Sequence, residues 1–227
     1  MDSNVAENIN ILAKFLGTRD IDVLNQEELF ERYGIHQADV MVLFGGSIVE
    51  GGDVLASGIK NFVSKKYIIV GGAGHTTDTL RQVVHLEYPD IETTDLSEAE
   101  IFQKYIKYVY GCKADYLETK STNCGNNITY LLDLLKENNI SFNSIILSQD
   151  ASMQKRMAAG LKKYVKDDVI IINYATYCAK VLNQNDELVY KENIHGMWTI
   201  ERYVNLLMGE IPRLSDDANG YGPNGKN

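Results

Sequence analysis

The chain predicts an α/β fold, a doubly wound, mainly parallel, five-stranded Rossmann-like sheet with a smaller helical domain built from the N- and C-terminal segments. Three observations predict it. Short continuous apolar runs recur at 40–44, 67–70, 116–117, 144–147 and 169–172, the pattern of strands covered on both faces. Amphipathic helical patterns separate these runs, and strand–helix–strand alternation with such crossovers gives a parallel sheet with right-handed connections. Glycine or small polar residues follow the first four strands, where an open parallel sheet keeps its ligand crevice.

Residues 5–34 read as helical, with Val5, Ile9, Leu12 and Leu16 at helical spacing. Asn25 with Glu28 three residues on forms a capping-box-like start, and Gly34 a stop, for the helix carrying Leu29 and Phe30. The first strand leads to a helix at 54–63, and the second to helices at 79–86 and 101–110. Ser97-Glu98-Ala99-Glu100 opens the last of these, with Ser97 as N-cap and Glu100 reaching back, which leaves Glu98 free of capping duty. After the short third strand, Thr122 or Asn123 caps a helix at 127–136. The fourth strand precedes a helix at 153–164. A final amphipathic helix at 198–208 is closed by Gly209, ahead of Pro212 and the tail Asn219-Gly220-Tyr221-Gly222-Pro223-Asn224-Gly225. The expected division is 1–37, helices packing with the C-terminal part; 38–180, the α/β domain; and 181–227, a helical segment and tail.

A chain of 227 residues can bury a real core, and 44% apolar with 23% charged residues is ordinary for a folded protein. The net charge of -9 argues against nucleic acid, whose phosphates need concentrated Lys and Arg. Cys112, Cys124 and Cys178 lie far apart, as reduced thiols do, and form neither a disulfide frame nor a zinc motif. No metal is expected. The N-terminal residues lack a signal-peptide pattern, and no apolar run approaches the ~20 residues of a membrane span. The expectation is a cytoplasmic protein without membrane insertion, its oligomeric state open.

The strand ends collect the chemistry. Gly45-Gly46-Ser47 follows the first strand, Gly71-Gly72-Ala73-Gly74-His75 the second, Ser121-Thr122-Asn123-Cys124-Gly125-Asn126-Asn127 the third, and Ser148-Gln149-Asp150 the fourth. A turn of small polar residues entering a helix leaves backbone N–H groups for an anion or polar ligand. The glycines serve equally as turn residues with positive φ. Neither a Gly-x-Gly-x-x-Gly fingerprint nor a phosphate loop is present. His75 is a candidate proton carrier, or else a solvated loop residue. Lys155 and Arg156 open a helix at its positive end, an unfavourable place that a ligand anion or a carboxylate such as Asp150 would relieve. Trp198 or Tyr221 could stack on a flat ligand, with core packing the simpler role for Trp198, and His195 could help place the C-terminal helix.

These motifs, together with Gln149-Asp150, Ser152-Met153-Gln154-Lys155-Arg156, Gly196-Met197-Trp198, Glu201-Arg202-Tyr203 and Gly220-Tyr221-Gly222-Pro223, resemble those of the YdcF-like family, related to the SanA and ElyC envelope-associated proteins. Glu118, Ser121, Asn123 and Asn127 match the family's Glu…Ser-x-Asn-Thr-x-Glu-Asn pattern. Cys124 replaces its Thr, Asn126 its second Glu, and Ser152 a His before Met153. The resemblance implies a nucleotide-binding-like sheet and a pocket for S-adenosylmethionine or a similar nucleotide, with no established reaction. Under it, Gly45, Gly46, Gly71 and Gly72 allow close backbone approach, and Ser121, Thr122, Asn123 and Asn127 hydrogen-bond polar groups. Gln149 and Asp150 complete the binding edge. Glu98 holds a ribose hydroxyl or amino group, and Lys155 or Arg156 an anionic group. His75 and Glu98 are the candidate catalytic residues. Two rivals remain: an enzyme acting on a phosphorylated or sugar-linked envelope precursor, and a non-catalytic ligand sensor, which the missing carboxylate and imidazole would suit.

Overall fold

The protein is seen in a computed structural model that describes residues 4–215. Strands β1 (Ala38–Phe44), β2 (Ser64–Val70), β3 (Tyr116–Glu118), β4 (Ser144–Ser148) and β5 (Ile170–Asn173) form one all-parallel sheet in the order β3-β2-β1-β4-β5. Side chains alternate between the two faces of each strand. Met41 and Leu43, with Ile69 and Ile146, enter the core under helices α3 (Glu50–Lys60), α4 (Thr77–Glu87) and α5 (Glu98–Tyr110). Val40, Val42 and Phe44, with Ile68, Val70 and Leu147, enter a second core under α6 (Cys124–Glu137) and α7 (Gln154–Lys162). Both faces are therefore dry, which is why the strands read as unbroken apolar runs. The chain builds outward from β1 to β3 and then returns to β4 on β1's other side. A crevice opens beyond the strand ends at that reversal.

Capping follows the local sequence. The Asn25 side chain accepts a hydrogen bond from the Glu28 N–H (2.8 Å) at the start of α2 (Gln26–Tyr33), and Gly34 ends it at φ 69°. The Glu28 carboxylate takes the Asp22 N–H (2.7 Å) instead of closing the box. Ser97 and Glu100 form the full reciprocal box on α5, and Asn123 caps α6.

A third core joins α1 (Asn4–Leu16), the antiparallel hairpin β6 (Val181–Gln184) and β7 (Glu187–Tyr190), and α8 (Ile200–Leu214) through Ile9, Leu16, Val181, Tyr203 and Leu207. Three expectations need correction here. The segment from 181 onward opens on a hairpin rather than a helix; its turn residues Asn185 and Asp186 take left-handed φ of 53° and 65°. Only α1 packs with the C-terminal part, because Leu29 of α2 joins the core of the sheet with Ile21 and Leu24. Helix α8 runs through Gly209 and contains Pro212, ending at Ser215. Pro212 lies in the last turn of α8, where it leaves the Met208 carbonyl without its i+4 N–H donor. The tail at 219–225, including Gly220-Tyr221-Gly222-Pro223, lies outside the described residues. No helix among the described residues is long and apolar enough to cross a membrane.

Candidate functional site

A cavity of about 200 Å³ lies at the carboxyl edge of the sheet, lined by residues after β1, β2, β3 and β4 and by the start of α8. Backbone bonds lace its floor together. The Gly45 N–H donates to the Val70 carbonyl (2.7 Å), Gly71 N–H to Glu118 (2.9 Å) and Gly72 N–H to Ser121 (3.0 Å). A Cβ on Gly45 would strike the Glu98 carboxylate and lie 3.2 Å from the Gly71 Cα; one on Gly72 would strike the Ser121 carbonyl oxygen. None of these three glycines has positive φ, which Gly34, Gly111 and Gly196 alone show among the described glycines. They are small so that neighbouring segments can touch, and the left-handed-turn reading does not hold for them.

The turn at 121–127 is shaped from within. The Glu118 carboxylate accepts the N–H groups of Lys120 (2.6 Å) and Ser121 (3.1 Å), and the Asn123 side-chain oxygen accepts that of Asn126 (3.0 Å). The N–H groups of Cys124 and Gly125 make no hydrogen bond among the described residues, nor do those of Gly46 and Ser47. Of these four residues Gly46, Ser47 and Cys124 line the cavity and Gly125 does not.

Glu98 is the cavity's buried carboxylate, only 7% exposed. Its Oε1 accepts the hydroxyls of Thr76 (2.8 Å) and Thr77 (3.0 Å), while Oε2 has no hydrogen-bond partner among the described residues and lies over Gly45. Burial pushes its pKa up, against the opposing pull of both threonines and Arg81. Thr77 Oγ1 also accepts the Gly74 N–H (2.7 Å), which ties the His75 loop to the same carboxylate. His75 is exposed on the cavity wall, and its ring makes no hydrogen bond or ion pair among the described residues.

Across the cavity, Asp150 is fully buried. Its Oδ1 accepts the Ser152 N–H (2.8 Å), the Ser152 hydroxyl (2.6 Å) and the Tyr177 hydroxyl (2.7 Å), and its Oδ2 has no partner among the described residues. Burial raises its pKa. The Gln149 side chain accepts the Asp150 N–H through Oε1 (2.6 Å), which leaves its Nε2 unpartnered. One wall comes from Trp198, Arg202 and Leu206. Trp198 Nε1 donates to the buried Ser47 hydroxyl (2.8 Å), with the Arg202 guanidinium 5.0 Å over its ring.

The strap leading to Trp198 is anchored by His195, whose Nδ1 meets Asp53 (2.8 Å) and whose Nε2 meets Glu87 (2.8 Å). Asp53 also accepts the hydroxyls of Tyr105 and Tyr110. Burial pulls the His195 pKa down, but its hydrogen bonds to the two carboxylates outweigh this and leave it raised.

Of the residues singled out in the sequence, Gly45, Gly46, Gly72, His75, Glu98, Ser121, Thr122, Asn123, Asn127, Gln149 and Asp150 line this one cavity. Gly71 lies against Gly45 beneath it. Lys155 and Arg156 do not line it, a correction to their expected role. The Lys155 ammonium sits 4.2 Å over the Phe15 ring on α1. Arg156 makes a two-pronged pair with Glu210 of α8 (2.6 and 3.0 Å) and lies beside Cys124. Their awkward position at a helix start is thus answered by α1 and α8 instead of a ligand or Asp150. Arg202, Met153 and Leu206 also line the cavity, and the sequence signals only the first of them, through the Glu201-Arg202-Tyr203 motif.

The cavity therefore offers open N–H donors and two buried carboxyl groups, with Arg202 and His75 as its cation-capable residues and no lysine. No group of three or more His, Cys, Asp or Glu residues suited to a metal occurs among the described residues. No family model matches the chain.

Proposed function

We propose that this chain binds a small nucleotide-like ligand, S-adenosylmethionine by preference, at the carboxyl edge of its sheet, and that it belongs with the YdcF-like proteins. The observation that carries the reading is the cavity at the strand-order reversal, walled by open backbone donors and by Glu98 and Asp150. Two buried carboxyl groups favour a ligand with positive charge or many donors, as a sulfonium with an amino group has. A phosphorylated envelope precursor would place its anion against both carboxyls, which makes it the weaker candidate.

Binding without turnover is a second reading with its own support. Ser152 stands where the wider family has His, and both its hydroxyl and N–H are bonded to Asp150. Among the described residues no carboxylate bonds the His75 ring to orient it as a base.

Titration calorimetry with S-adenosylmethionine tests the proposal on the wild type and on the Glu98→Gln and Asn123→Ala variants. Saturable binding that both substitutions weaken supports it. No binding by the wild type, or unchanged affinity in both variants, overturns it. Absence of product over long incubation with a bound ligand would select the sensor reading.

A further inference from the structure

Among the described residues, three buried polar atoms at the end of β4 lack partners: Ser148 Oγ, whose residue does not line the cavity, and two of opposite character on residues that do, Gln149 Nε2 and Asp150 Oδ2. The Asp150 N–H, bonded to Gln149 Oε1 at 2.6 Å, fixes the orientation of that amide, since turning it over would set donor against donor. Gln149 Nε2 is therefore a donor in want of an acceptor, on a residue 1% exposed. Asp150, 4% exposed, already takes three donors on Oδ1 and none on Oδ2. Buried polar atoms are seldom left unpaired without a reason.

Gly46 and Ser47, whose N–H groups make no hydrogen bond among the described residues, line the same cavity, and a Cβ added to Gly46 would lie 3.9 Å from Gln149 Oε1. The juxtaposition follows from the sheet, since β1 and β4 are hydrogen-bonded neighbours with Leu43 opposite Ser148. Neutral donors grouped in this way suit a carboxylate. Among the described residues no Lys or Arg pairs with Asp150, and Arg156 on the following helix is committed to Glu210.

We propose that this end of the cavity takes the zwitterionic head of an α-amino acid. Its carboxylate lies on Gln149 Nε2 and the N–H groups of Gly46 and Ser47, and its ammonium lies on Asp150 Oδ2. This deepens, and rests on, the reading of the cavity as a ligand site. A neutral base edge would meet the same hydrogen bonds but would leave the Asp150 charge unbalanced.

The test compares S-adenosylhomocysteine, which carries the amino acid head, with 5′-methylthioadenosine, which lacks it. Calorimetry is run on the wild type and on the Gln149→Leu and Asp150→Asn variants, with L-methionine as a third probe. The wild type is expected to bind S-adenosylhomocysteine about 10- to 100-fold more tightly than methylthioadenosine, the worth of one charge-assisted hydrogen bond. Each substitution should bring it down to the methylthioadenosine level while leaving methylthioadenosine affinity unchanged, which also reports that the variant is folded. Equal affinity of the wild type for the two nucleosides overturns this inference and leaves the cavity's nucleotide reading standing. If neither nucleoside binds, that reading fails. L-methionine binding lost in Gln149→Leu would then still support the amino acid site, and absence of L-methionine binding would overturn it too.

Discussion

Replacing Gly72 with alanine tests why glycine stands at the end of β2. The added methyl would strike the Ser121 carbonyl oxygen and lie 2.8 Å from the Thr119 oxygen and 2.9 Å from the Lys120 carbonyl carbon. All three are backbone atoms. Ser121 is also the acceptor of the Gly72 N–H, so the turn cannot back away without losing that bond. Overpacking of this kind costs about 1–3 kcal/mol, and a lost hydrogen bond adds about 0.5–1.5 kcal/mol. At about 2–4 °C per kcal/mol for a chain of this size, a loss near 2 kcal/mol lowers Tm by about 4–8 °C. Gly74→Ala is the matched control two residues on, where the nearest atom would be the Thr122 oxygen at an ordinary 3.6 Å. Its backbone φ is not positive, so alanine there should be neutral or stabilising by about 0.4–1 kcal/mol. Urea denaturation followed by far-UV circular dichroism reads both variants. Equal stability of Gly72→Ala and wild type, or an equal loss in Gly74→Ala, would refute the close-approach argument.

Three further outcomes are expected. Burial raises the Glu98 pKa, so its effect on stability is favourable below the unfolded value of about 4.3 and is lost as pH rises through the folded value. Glu98→Gln should therefore make the unliganded protein more stable at neutral pH while weakening ligand binding, and a less stable variant in urea would contradict this. The His195 pKa is raised by its two carboxylates; its contribution is full below the unfolded value of about 6.5 and fades as pH climbs through the folded one. Urea midpoints measured across that window should fall more steeply for the wild type than for His195→Ala, and parallel curves would count against the anchor. Arg156→Gln should cost about 1–3 kcal/mol, less than a fully buried pair because the Arg156 side chain is 25% exposed. Its ligand affinity should match the wild type, so an affinity loss measured by calorimetry without a stability loss would restore Arg156 as a ligand contact.

What was legible in the sequence was what short stretches decide. The five strands announce themselves because Val40 to Phe44 and their counterparts are covered on both faces. Caps such as Ser97 and Asn123 bond within three residues of themselves, so their patterns are local. The β6–β7 hairpin was missed because its strands are four residues each and the residues flanking its turn, Asn183, Gln184 and Glu187, are polar. The two-residue turn Asn185-Asp186 between apolar pairs was a usable sign of it. The roles of Lys155 and Arg156 were beyond local reach, since Phe15 and Glu210 come from distant parts of the chain. The His195 anchor spans 142 residues to Asp53 for the same reason. Even Gly45, Gly71 and Gly72 are legible only as small; touching segments, and not φ, explain these three.

The central claim is that turns far apart in sequence close on one ligand. Hydrogen exchange with and without S-adenosylmethionine measures that directly. The account predicts joint protection of amides at 46–48, 73–76, 122–126 and 149–153. Protection confined to one of these turns would contradict it.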